Sequence, residues 1–279
     1  MSSTWRTVQT LIPPLEMSEG AGVRIRRTIG GPHQETLDPF LLLDQFRSDD
    51  ANDYIAGFPD HPHRGFETVT YMLAGLMRHE DSMGNGGTLR PGGAQWMTAG
   101  RGIVHSEMPQ QEDGLMAGFQ LWVNLPADQK MCTPRYQNIE PEEVPEVTRE
   151  DGVKIRVIAG EADGVKGAVN GIAVDPVYLD VTVPGGVTFD APITSGHTAL
   201  CLGLEGDAVI GGTPVAEGHA AILGDGDRVR IENQGAKPLH FLLIAGRPLN
   251  EPIARYGPFV MNTRAELEQA FQDFHSGNF

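Results

Sequence analysis

Two short segments could bind a metal ion together: His61-Pro62-His63 and His105-Ser106-Glu107. On an extended strand, side chains two residues apart share a face, so each segment projects two donors in one direction. Three imidazoles and a carboxylate form a nitrogen–oxygen set suited to Fe(II), Mn, Ni, Cu or Zn. Four such donors on an octahedral ion leave two positions for a substrate or O2. Glu67 offers a second carboxylate, four residues past His63 and so on the same face of a regular strand. There it is either the carboxylate ligand in place of Glu107 or an outer partner that orients an imidazole, unless Arg64-Gly65 bulges the strand and turns it away.

Histidine is common outside metal sites, and an isolated His-x-His carries little weight. Here three of the nine histidines fall in two same-face pairs, in glycine-rich strand context, which favours a metal. His79, between Arg78 and Glu80 after a turn, reads as a solvated loop residue. His33, His197, His219, His240 and His275 lack partners at ligand spacing and read as structural. Cys132 and Cys201 have no nearby base or CxxC partner, so both read as buried, inert thiols. Ser106 should face away from its neighbours, and no hydrolase triad is present. Gly100-Arg101-Gly102 reads as a turn, without the strand–GxxxxGK–helix context of a phosphate loop.

These pairs need a β scaffold, and the rest of the sequence describes one. With 35 glycines and 20 prolines among many short apolar runs, the 279 residues read as short strands and tight turns. Glu67-Thr68-Val69-Thr70-Tyr71-Met72-Leu73 is rich in β-branched and aromatic residues and ends at Ala74-Gly75, a strand and its turn. Further strands are expected at 94–98, 116–125, 153–159, 177–183, 198–204, 207–210, 227–232 and 239–245. The acidic, proline-containing stretch 138–152 reads as a solvated linker between domains 1–137 and 153–279. Near the end, Thr263-x-x-Glu266 is a capping box, followed by Leu267, Ala270, Phe271 and Phe274 at helical spacing. The expectation is an all-β protein of two jelly-roll-like barrels, closed by one C-terminal helix.

An internal repeat supports two barrels. Tyr71-Met72-Leu73-Ala74-Gly75 aligns with Leu202-Gly203-Leu204-Glu205-Gly206, and Gly93-Ala94-Gln95-Trp96-Met97 with Gly218-His219-Ala220-Ala221-Ile222. His61 and His63 then fall on Pro192 and Thr194, and His105 and Glu107 on Arg230 and Glu232. Only the first half keeps a full donor set.

Composition narrows the partners. Lys plus Arg is 21 against 37 acidic residues, a net charge of −16, which disfavours nucleic acid and anionic membranes. Two cysteines fit a reducing compartment. No apolar run approaches a membrane span and no signal-like segment follows Met1, so a soluble cytoplasmic protein is expected.

Three long stretches resemble the pirin family of bicupins. They are Phe58-Pro59-Asp60-His61-Pro62-His63-Arg64-Gly65-Phe66-Glu67-Thr68-Val69, residues 95–107 from Gln95-Trp96-Met97 to His105-Ser106-Glu107, and Gly246-Arg247-Pro248-Leu249-Asn250-Glu251-Pro252-Ile253 with Gly257-Pro258-Phe259-Val260-Met261-Asn262-Thr263. The resemblance implies two cupin barrels and one metal, usually iron, in the first. It matches the ligands to His61, His63, His105 and Glu107, favouring Glu107 over Glu67, and implies a metal-free second barrel. It further implies either a dioxygenase of the quercetin 2,3-dioxygenase type or an iron-dependent, redox-sensing regulator that binds a protein partner. In the first case a flavonol and O2 meet at the ion, Glu107, once swung off it, is the general base, and Phe58, Met72 and Trp96 are candidate pocket walls, with core packing the favoured reading of each. In the second, the acidic charge calls for a partner with a basic face. A zinc isomerase on another cupin template is a third option, because histidines on strands do not alone select the metal.

Overall fold

The structure is a computed structural model in which residues 3–279 are described. It divides into two compact units that do not follow chain order: residues 1–14 with 144–248, and residues 15–143 with 249–279. Among the described residues, no helix is long and apolar enough to cross a membrane.

The unit of residues 15–143 and 249–279 holds a seven-stranded and a four-stranded antiparallel sheet. The first runs in the order Arg135–Ile139, Ala94–Thr98, Phe66–Ala74, Met116–Asn124, Phe40–Ser48, Val23–Ile29, Leu15–Glu19. The second runs Phe58–His63, Ile103–Pro109, Met77–Asp81, Gly86–Leu89. The two sheets face each other, because Thr70 and Gln120 of the larger both donate to Glu107 of the smaller. Part of the space between them is closed by Val23, Ile25, Phe46, Met72, Met77, Leu89 and Met116. The β-branched run at 67–73 forms the strand Phe66–Ala74, as its composition dictates.

The helix expected near the end spans Arg264–His275 and opens with the capping box. Glu266 N–H donates to Thr263 Oγ1, and Thr263 N–H donates to Glu266 Oε2. Its stripe of Leu267, Ala270, Phe271 and Phe274 packs on Phe259 and Met261. The sequence placed this helix with the second domain; in the structure it belongs to the unit that holds residues 15–143.

The unit of residues 1–14 and 144–248 repeats the plan. Its larger sheet runs Val8–Ile12, Ala220–Leu223, Thr198–Glu205, Leu239–Gly246, Val177–Val183, Lys154–Ala159, Glu146–Thr148. Its smaller sheet runs Thr188–Pro192, Arg228–Glu232, Ala208–Ile210, Thr213–Val215. The edge held by Arg135–Ile139 in one unit is held by Val8–Ile12 in the other. The expected linker 138–152 is largely ordered: Ile139 pairs with Ala94, and Glu146–Thr148 pairs with Lys154–Arg156.

The interior of this unit is apolar. Phe189, Ala191, Val229 and Ile231 of the smaller sheet meet Leu179, Val181, Cys201, Phe241 and Leu243 of the larger. Phe189 and Phe241 stack edge to face at 5.5 Å. Inward positions of the strand Arg228–Glu232 are thus Val229 and Ile231, one residue off the sequence alignment that set Arg230 and Glu232 against His105 and Glu107.

Candidate metal centre

In the smaller sheet of the unit 15–143 and 249–279, Phe58–His63 pairs with Ile103–Pro109 so that His105 lies opposite His61. Period-two alternation turns His61, His63 and His105 to the same face. Their ring centroids are 4.7, 4.3 and 5.0 Å apart, and one ligand atom from each lies within 4.8 Å of the others. His63 and His105 are 2% and 1% exposed. Burial, then the neighbouring imidazoles, holds both well below the ordinary histidine range, so both present neutral rings.

Hydrogen bonds orient these rings. His61 Nδ1 lies 2.8 Å from the Pro59 carbonyl, and His63 Nδ1 lies 3.4 Å from that of Pro258. A carbonyl can only accept, so each Nδ1 carries a proton, and the neutral His63 ring keeps a lone pair on Nε2. Nε2 of His63 and of His105 are buried with no hydrogen-bond partner. Buried nitrogens without partners are costly, and a cation among the three imidazoles would satisfy them. The donor set fits a divalent metal ion.

Glu107 lies two residues past His105 on the same face and is 2% exposed. Its Oε1 accepts from Thr70 Oγ1 and its Oε2 from Gln120 Nε2, each at 2.6 Å. A bulge between His105 and Glu107 shifts the register, and the carboxylate lies outside the group of three imidazoles. Gln120 Oε1 in turn accepts from Trp122 Nε1 at 3.3 Å.

Glu67 is turned away. The Arg64-Gly65 step ends one strand and starts another in a different sheet, with Gly65 at φ 88. A Cβ there would sit 1.9 Å from the Val260 carbonyl, so only glycine permits this approach. Glu67 instead accepts from Thr98 Oγ1 at 2.7 Å, and burial pushes its carboxyl up to about 7.

A cavity of about 550 Å³ opens on His61, His63 and Glu107. Phe58, Pro59, Met77, Trp122 and Pro258 give it flat apolar wall. On a further wall Arg27 is held by Asp44 through two hydrogen bonds of 2.8 and 2.7 Å, and by Glu19. Burial raises the Asp44 carboxyl to about 6 despite Arg27. The Arg255 guanidinium lies over the Trp122 ring at 4.8 Å and donates to the Leu41 carbonyl. Of the expected walls, Phe58 lines the cavity. Met72 is core and Trp96 is fully buried away from the lining, the reading favoured for each from sequence.

His79 corrects the sequence reading. It is not a solvated loop residue: it lies on the strand Met77–Asp81, is 0% exposed, and sits 3.3 Å from His105 through their Nδ1 atoms. The signal was present in the alternation Met77, His79, Asp81, which puts the three on one face. Thr70, Gln120, Trp122, Arg255 and Pro258 carried no such local signal. Among the described residues, no other group of three or more histidine, cysteine, aspartate or glutamate side chains converges in this way. Cys132 and Cys201 are free thiols, and burial raises both.

Residues 22–123 match the Pirin family, and residues 178–279 match the Pirin C-terminal cupin domain. A pirin-like protein of Caulobacter vibrioides is 49% identical over 275 residues, covering 98% of this chain and 99% of its own. Pirin of Homo sapiens is 48% identical over 266 residues, covering 94% and 89%. A crystal structure of a quercetin 2,3-dioxygenase from Acinetobacter baumannii superposes with a TM-score of 0.90 at 37% identity, covering 99% of each chain. With matches across both halves and relatives this similar along nearly its whole length, the chain belongs to the pirin family and has its two-cupin fold.

Proposed function

We infer that this chain is a metal-dependent dioxygenase acting on a flavonol such as quercetin, with one divalent ion held by His61, His63, His105 and Glu107. One observation carries the reading: three imidazoles converge beside a cavity of small-molecule size, two of them with partnerless Nε2 atoms. The likeness to the Acinetobacter baumannii quercetin 2,3-dioxygenase supports the substrate class. Iron(II) is the ion proposed, with Mn, Ni, Cu and Zn compatible with the same donors.

A bound ion of this kind supplies Lewis-acid polarisation of the 3-hydroxyl and 4-carbonyl oxygens and, as iron, a meeting place for O2. The chain does the rest. Phe58, Pro59, Trp122 and Pro258 present flat surfaces on which fused aromatic rings lie and from which water is excluded. Glu107 takes the hydroxyl proton on a carboxylate oxygen. Thr70 and Gln120 donate to that carboxylate, and Gln120 in turn accepts from Trp122. In the overall reaction both atoms of O2 enter the opened product, and one ring carbon leaves as carbon monoxide.

The test is direct. Full-length protein loaded anaerobically with Fe(II) should consume O2 and release carbon monoxide with quercetin. Absence of both with Fe, Mn, Ni and Cu would reject the enzyme in favour of a second reading. That reading is a redox-sensing regulator whose partner has a basic face, and the charge of −16 favours it. A stoichiometric protein partner whose affinity follows iron oxidation would establish it.

A further inference from the structure

The three imidazoles of the centre are oriented by two different devices. His61 and His63 each turn Nδ1 to a backbone carbonyl, which fixes the proton there. The partner of His105 Nδ1 is another imidazole nitrogen, His79 Nδ1, at 3.3 Å. Two facing imidazole nitrogens do not by themselves decide which holds the proton.

The decision is made one residue farther out. His79 Nε2 lies 3.3 Å from Asp81 Oδ2, and both side chains are 0% exposed. Donors surround the Asp81 carboxylate: Oδ1 accepts from the N–H groups of Met83 and Asn85, and Oδ2 accepts from the Asn85 amide. Toward His79 it is therefore an acceptor, and His79 Nε2 carries the proton. With Nε2 as its single protonated nitrogen, His79 accepts at Nδ1 and His105 Nδ1 donates to it. His105 Nε2 is left with a lone pair, buried and without a partner. Tyr136 stacks on the His79 ring at 4.7 Å and 18°, which fixes the plane of that ring.

We propose that Asp81 and His79 are positioning residues that set the tautomer of His105 and so present its Nε2 to a divalent metal ion. The purpose of the relay rests on the three histidines being metal ligands; the placement of its protons does not. Asp81→Asn reverses the chain of donors. The amide oxygen can still accept from Met83 and Asn85, which puts Nδ2 against His79 Nε2. His79 then donates from Nδ1, and His105 is forced to hold its proton on Nε2.

Imidazole nitrogen NMR of the full chain, stripped of metal by a chelator, reads this without turnover. The parent should show His105 protonated at Nδ1, and D81N should show it at Nε2. Ni(II) affinity, measured by chelator competition, should fall roughly 10–100-fold in D81N, the range for loss of an outer partner of a metal-bound histidine. His79→Phe keeps a ring against Tyr136 but removes the acceptor, and should fall similarly. His79→Gln, whose amide oxygen can accept from His105, should recover part of the loss. Protonation of His105 at Nε2 in the parent, or an unchanged tautomer in folded D81N, overturns the proposal. If D81N does not fold, equal Ni(II) affinities of H79F, H79Q and the parent overturn it. A tautomer that switches as expected in a protein that binds no Ni(II) leaves the relay standing and rejects the metal assignment.

Discussion

The two units share one strand order but fill it with opposite chemistry. Where Phe58–His63 and Ile103–Pro109 turn His61, His63, His105 and Glu107 inward, Thr188–Pro192 and Arg228–Glu232 turn in Phe189, Ala191, Val229 and Ile231. Across the gap, Thr70, Gln120 and Trp122 face the first set, whereas Leu179, Val181, Phe241 and Leu243 meet the second. A jelly-roll barrel thus needs no polar centre to stand, and a handful of inward positions on two neighbouring strands decides whether it encloses a site or a core. The apolar unit is closed by dispersion and hydrophobic burial. Its counterpart gives up part of that for groups that want a ligand.

The difference can be broken most sharply at the imidazoles. His63→Ala combined with His105→Ala should abolish metal uptake, taking metal per chain from about one ion to near zero by elemental analysis, with the fold retained by circular dichroism. Unchanged metal content would move the centre elsewhere. In the other unit, Phe241→Ala should cost about 3–5 kcal/mol in urea unfolding, as large core truncations do, with metal per folded chain unaltered. A cost below about 1 kcal/mol would mean that this interior is not closely packed.

A third expected effect concerns pH. The folded chain holds the Glu67 proton more tightly than the unfolded chain does, because burial raises that carboxyl from 4.5 to about 7. The contribution is fully present below pH 4.5 and is lost as pH rises through about 7. Glu67→Gln removes the slope and should make the protein more stable than the parent at pH 8 by about 3 kcal/mol. Parallel stability curves for the two proteins from pH 5 to 8 would contradict this. The smallest effect is at the helix: Thr263→Ala removes one half of its capping box and should cost about 1 kcal/mol by thermal unfolding, without changing metal content.

Period and local chemistry were legible in the sequence, and long-range arrangement was not. The His61/His63 and His105/Glu107 pairs announce a shared face because strand alternation is local, and the Thr263/Glu266 cap is read the same way. The repeat showed that one half lacks donors, although strand register shifts the inward residues by one, to Val229 and Ile231. His79 reads as solvent-facing because its neighbours Arg78 and Glu80 are charged, yet they point outward while His79 points in. Nothing local marks Pro258 or Arg255 as neighbours of His63 and Trp122, since only the return of residues 249–261 brings them there. Likewise Val8–Ile12 reads as any alternating strand, and its pairing with Ala220–Leu223 is invisible without the fold.

That exchange of ends has a consequence for biogenesis. During translation the histidine-bearing segments emerge early, yet the carbonyl that orients His63 and the wall formed by Arg255, Gly257 and Pro258 are encoded some two hundred codons later. A ribosome that stalls or releases early therefore yields a fragment whose histidine cluster lacks part of its enclosure. A fragment ending before residue 255 keeps all three imidazoles but leaves His63 Nδ1 without the Pro258 carbonyl.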